Sequence, residues 1–104
     1  MSVEGMLGTG EKLALLSASG PASAVTVTAG DHANVDLTVS VGVISRVLKA
    51  LGVKSISGLP TGAVIEGYSF TNETTLRIVV FNPTGSDITV TADSVSATVL
   101  VKGL

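Results

Sequence analysis

Residues 24–28, Ala-Val-Thr-Val-Thr, alternate apolar and polar positions with period two, which puts Val25 and Val27 on one face of an extended strand and the threonines on the other. Segment 34–41 repeats this more cleanly. Val35, Leu37, Val39 and Val41 share one face, and Asn34, Asp36, Thr38 and Ser40 share the other. The turn Ala29-Gly30-Asp31 between the two predicts a hairpin, because a crossover needs a dozen residues or more. Residues 12–16 form a short apolar segment suited to an edge strand. Extended structure resumes over 63–71, with Val64, Glu66, Tyr68 and Phe70 on one face and Glu66 interrupting an otherwise apolar stripe. Segment 74–82 is apolar on both sides, with Leu76, Ile78 and Val80 opposite Val79, Phe81 and Arg77. It predicts a central strand, joined to its predecessor by a hairpin at Asn72-Glu73. Asn82-Pro83-Thr84-Gly85 then marks a sheet corner. Ile88 and Val90, followed by Val95, Ala97, Val99 and Val101, supply two final strands, with Lys102 as an edge gatekeeper.

The period changes once. Val43, Ile44, Val47, Leu48 and Leu51 fall on one side of a 3.6-residue helix, with Arg46, Lys49 and Ala50 on the other. Ser40 is placed to cap its start, Gly52 to terminate it, and Lys49 to complement the negative end of its dipole. The expected fold is therefore all-β: a compact antiparallel β-sandwich or partly open barrel of about seven strands, with one short helix over 43–51. Residues 1–10 read as a flexible N-terminal arm and 11–104 as a single β-rich domain. The similar segments Val25-Thr26-Val27-Thr28 and Ile88-Thr89-Val90-Thr91 are accounted for by strand composition.

Composition removes most chemistry. The chain has no Cys and one His, which excludes disulfides, thiol nucleophiles and multi-His metal centres. Six basic against eight acidic residues, with no basic run, disfavour nucleic acid. No window approaches the length of a membrane-spanning helix, and Glu4 stands where a secretory signal needs positive charge. Only 13% of residues are charged in a chain that is 45% hydrophobic. Ordinary soluble domains carry roughly 25% charge, so part of the apolar surface is expected to be shared between subunits.

The candidate constellations are sparse. Gly8-Thr9-Gly10-Glu11-Lys12 lacks the spacing, the preceding strand and the following helix of a phosphate-binding loop. Asp31, His32 and Asp36 belong to a solvated hairpin. Glu66 and Glu73 lack the aromatic platform of a sugar cleft, and no GxSxG elbow accompanies the many serines. Asn72-Glu73-Thr74 reads as a turn. Tyr68, Phe70 and Phe81 read as core or subunit contact. No catalytic, metal or cofactor site is expected, and the chain is read as non-enzymatic.

The segments Ile65-Glu66-Gly67-Tyr68, Thr75 to Thr84 with its Phe-Asn-Pro-Thr ending, and Ile88-Thr89-Val90-Thr91-Ala92 resemble a pattern found in small structural proteins of tailed phages and related prophages. In that pattern the Asn-Pro-Thr phrase ends one strand, and an Ile-Thr-x-Thr-Ala strand and a Val-rich strand follow. Ala24 to Gly30 resembles its opening; the central helix departs from it. The resemblance implies a virion-associated module, such as a head-decoration, capsid-stabilising or tail-associated protein, made in the host cytoplasm. The implied partners are the chain itself, in a cyclic homo-oligomer such as a trimer, and major capsid or tail proteins, with no nucleic acid and no membrane. A small β binding module for carbohydrate or another surface ligand is the alternative. The expected contact surface is the helix and the central strand: Val43, Ile44, Val47, Leu48 and Leu51, with Leu76, Ile78, Val79, Val80 and Phe81.

Overall fold

A computed structural model describes residues 10–40, 47–72 and 74–104. These form eight strands: β1 (Lys12–Gly20), β2 (Val25–Val27), β3 (His32–Val39), β4 (Val47–Ser57), β5 (Val64–Asn72), β6 (Thr75–Phe81), β7 (Ile88–Val90) and β8 (Val95–Gly103). Six of them make one sheet in the order β4-β8-β1-β3-β6-β5, and β2 pairs with β7 in a second, two-stranded sheet. Every pairing is antiparallel.

The large sheet coils into a nearly closed barrel rather than splitting into the two packed layers of a sandwich. Its outermost strands, β4 and β5, come round to line opposite walls of one groove, β4 with Ala50 to Val53 and β5 with Tyr68 to Phe70. Closure of this kind demands stagger between strands. The stagger falls between β1 and β3, which share only Ala18↔Val39 and Ser19↔Thr38, whereas β1 and β8 pair along the whole length of β1. The sheet therefore has two three-stranded halves, β4-β8-β1 and β3-β6-β5, overlapping along a short waist.

The alternating segments form as their period dictates. Val35, Leu37 and Val39 of β3, Leu76, Ile78 and Val80 of β6, and Val95, Ala97, Val99 and Val101 of β8 point into the barrel and are buried. The outward positions of β6 are half-buried, and the strand lies between β3 and β5 as a central strand should. Val27 and Val90 from the small sheet complete the core. The two similar Thr-rich segments pair with each other, Val25↔Val90 and Thr26↔Thr89. The hairpin expected between β2 and β3 is not made, because β2 takes β7 as its partner and β3 takes β1 and β6.

The helix expected over 43–51 is not found: no helix occurs among the described residues, and 47–57 is strand β4. Val43 and Ile44 lie outside them. The physical reason is a repeated bulge. The pairing of β4 with β8 slips between Val47 and Lys49, between Ala50 and Gly52, and between Val53 and Ser55, each slip adding one residue to β4. Val47, Ala50, Val53 and Ile56 consequently pair opposite the buried Gly103, Val101, Val99 and Ala97. In this inward repeat of three Ala50 aligns with Val47 while Leu51 is exposed, so the helical spacing of Val47 and Leu51 arises from the bulges and not from one shared face.

The Asn82-Pro83-Thr84 corner is built around a side chain. Asn82 is wholly buried. Its Nδ2 donates to the carbonyls of Val27 (2.9 Å) and Ser86 (2.7 Å), and its Oδ1 accepts from the Thr84 N–H (2.9 Å) and Oγ1 (2.6 Å). One amide thus ties the end of β6 to the small sheet with all four of its hydrogen bonds made.

Candidate functional site

β5 is the strand on which inside and outside are least distinct. Its register against β6 slips between Ile65 and Gly67 and again between Phe70 and Asn72. The first slip makes Glu66 the extra residue, so Val64 faces outward opposite Phe81 while Ile65 and Tyr68 pair with the buried Val80 and Ile78. Because β5 is an edge strand facing a groove, inward side chains there remain accessible. Ile65 is 39% and Tyr68 51% exposed, and Val64 is exposed on the outer side. Leu51 projects into the same groove from β4, which with Phe70 gives an apolar cleft of about 260 Å³. The outer face of the other half adds Leu13 and Leu15, the latter 55% exposed and paired with Leu100 of β8.

The expected contact residues separate into three groups. Leu76, Ile78 and Val80 are fully buried in the barrel and Val47 nearly so, leaving none of them to a partner. Val79 and Phe81 are half-buried on the outer face, and Leu51 is exposed. Val43 and Ile44, with the side chain of Leu48, lie outside the described residues. Of the aromatic rings, Tyr68 is exposed, Phe70 is half-buried, packing against the core while it lines the groove, and Phe81 lies against the His32 ring at a centroid distance of 4.7 Å. The exposed apolar positions that the sequence reading does not single out are Leu13, Leu15, Val64, Ile65 and Leu104. The signal that marks two of them is the charge at Glu66, which signals a bulge rather than a flaw in an apolar face.

Two groups of polar side chains pair with one another across β3 and its neighbours. His32 Nε2 is hydrogen-bonded to Glu66 Oε1, with Asp31 4.0 Å from Nδ1. Direct cross-strand partners Asp36 and Arg77 form a bidentate pair at 2.8 and 3.0 Å. No group of three metal-ligating side chains occurs among the described residues. Glu73 lies outside the described residues.

The hydrogen bonds from Arg77 hold the Asp36 carboxyl below its ordinary value of 3.8, against a smaller opposing effect of burial. A carboxyl depressed on folding stabilises the native state above its unfolded pKa, and that contribution is lost as pH falls through the folded one. Asp36→Asn is therefore expected to lower the unfolding free energy at pH 7. The difference from wild type should shrink as the pH drops below about 4 in paired urea titrations. A gap that persists unchanged in acid would contradict the charge-based account.

Compared against protein-family models, curated proteins and solved structures, the chain matches none of them.

Proposed function

We propose that this chain is a non-enzymatic structural protein that assembles into or onto a tailed-phage virion, as a head-decoration, capsid-stabilising or tail-associated module. The observation that carries this reading is the exposure of large apolar side chains from both halves of one sheet, Leu13, Leu15 and Leu51 on the first and Val64, Ile65 and Tyr68 on the second. Apolar side chains grouped in this way mark surfaces that a neighbouring subunit covers. The low charge of the chain and the phage-like strand phrases at 75–84 and 88–92 support the same conclusion.

The direct test is the composition of purified phage particles. Mass spectrometry is expected to find this chain at a fixed copy ratio to the major capsid or tail protein; particles that lack it while the host lysate contains it would refute the proposal. A carbohydrate-binding module is the second reading, favoured by the exposed Tyr68 beside Ser69 in the groove. Tyr68 is the only tyrosine and the chain has no tryptophan, so a saturable change in its emission on adding oligosaccharide separates the two.

A further inference from the structure

Within the strands of the large sheet the charges are sorted between the two halves of the barrel, with Asp93 standing apart on the turn that leads into β8. Strands β4, β8 and β1 carry Lys49, Lys54, Lys102 and Lys12 and no acidic residue within their spans. Lys102 is paired with Glu11, 3.7 Å away, and the other three lysines are exposed. In the half formed by β3, β6 and β5 the only Lys or Arg is Arg77, which Asp36 neutralises. That leaves Asp31 and Glu66 around His32, and nearby Asp87, whose Oδ1 accepts the Ala29 N–H at 2.9 Å. Each half also presents exposed apolar side chains, Leu13 and Leu15 on the outer face of the first, and on the second Val64 on the outer face with Ile65 and Tyr68 at the groove.

From this sorting we infer that the basic, leucine-bearing half of one copy docks against the acidic, Tyr68-bearing half of a second copy, in a head-to-tail contact. The inference rests on the assembly reading above and adds to it which surfaces meet. Charge complementarity selects the occupant, because a like half placed on a like half would oppose lysine to lysine or acid to acid. A contact between two different surfaces of the same chain is heterologous, and it closes into a ring where the rotation between copies permits. The bulges and lysines of β4 disrupt a regular exposed ladder, which disfavours open-ended strand-on-strand growth and leaves side chains to make the contact.

Two charge-reversed chains test this. One carries Lys49→Glu and Lys54→Glu, so both its halves are acidic; the other carries Asp31→Lys and Glu66→Lys, so both are basic. All four positions are exposed, and circular dichroism checks that each chain folds. By light scattering, each alone is expected to associate at least about 100-fold more weakly than wild type. An equimolar mixture is expected to regain the wild-type mass, because every contact in it can again join opposite charges. Should a reversed chain fail to fold, Leu15→Ser and Tyr68→Ser probe the two apolar patches without changing charge, and each is expected to weaken association. A multimer indifferent to all these substitutions overturns the head-to-tail contact while leaving assembly intact, as does a mixture that stays dissociated. A wild-type monomer also overturns it, whereas absence of the chain from phage particles removes the virion assignment and leaves the contact standing.

Discussion

Asn82→Ala is expected to lower the unfolding free energy by about 3 kcal/mol, and the thermal midpoint by roughly 15 °C. The magnitude follows from what the truncation leaves behind. The Val27 carbonyl loses the Nδ2 donor in a place that excludes water, and the Thr84 N–H, which is half-buried, loses the Oδ1 acceptor. The Ser86 carbonyl retains the Thr84 hydroxyl at 2.8 Å and is less affected. An orphaned buried donor or acceptor costs about 1–3 kcal/mol, more than the net gain from making its bond. Asn82→Asp keeps the shape of the side chain but turns a carboxylate oxygen toward two carbonyls, and is expected to be at least as damaging at pH 7. Asn72 provides the control. Its Oδ1 makes the same pair of bonds to Thr74, at 2.8 and 3.2 Å, on an exposed turn. Asn72→Ala should cost less than about 1 kcal/mol, because water replaces the lost partner. Urea denaturation of both variants reads the contrast, and equal losses at the two positions would contradict it.

Gly58→Ala is expected to be the other severely destabilising single change, at about 2–4 kcal/mol. Gly58 has φ of +94°, a backbone conformation that side chains disfavour. It also packs against the turn before β8 so closely that an added Cβ would lie 1.9 Å from the Ser94 carbonyl oxygen. The obstruction is backbone, so no rotamer change relieves it; the connection leaving β4 has to move off the start of β8. Gly30 separates the two effects. Its φ is +74°, but an added Cβ meets nothing within 4 Å. Gly30→Ala therefore bears the left-handed penalty alone, about 1–2 kcal/mol. A Gly58 variant no less stable than the Gly30 variant would show that the close approach does not constrain the fold.

How much of this was legible in the sequence depended on the regularity of each ladder. β3 with β6 and β8 with β1 pair without slippage, so the period-two faces that hold Leu37 and Val99 were read correctly, and Leu76, Ile78 and Val80 were rightly grouped on one face although that face is the core and not the expected contact surface. β4 and β5 carry five register slips between them. Each slip resets which face the next side chain takes, so the buried Val47 and the exposed Leu51 fall at helical spacing, Ala50 is set apart from Val47 although both pair opposite inward residues, and Val64 is grouped with Tyr68 on a face they do not share. The partner of β2 was also illegible. Short connections favour neighbours in sequence, but the bonds from Asn82 to the Val27 carbonyl and from Gly30 to the Asn82 carbonyl draw β2 to the far end of the chain. The positions of the exposed apolar residues were half legible for the same reason. The central strand expected to display them turns Leu76, Ile78 and Val80 inward. Leu51, Val64, Ile65 and Tyr68 sit instead on the bulged edge strands β4 and β5, and Leu13 and Leu15 on the stretch of β1 that has no β3 partner, where hydropathy alone does not distinguish inside from outside.

The central claim is that this apolar surface is shared between copies of the chain. Light scattering on the purified wild-type chain, across a dilution series reaching high micromolar concentration, addresses it most directly. The account predicts a mass that is a fixed small multiple of 10.4 kDa and falls on dilution. A mass of 10.4 kDa at every concentration would contradict it.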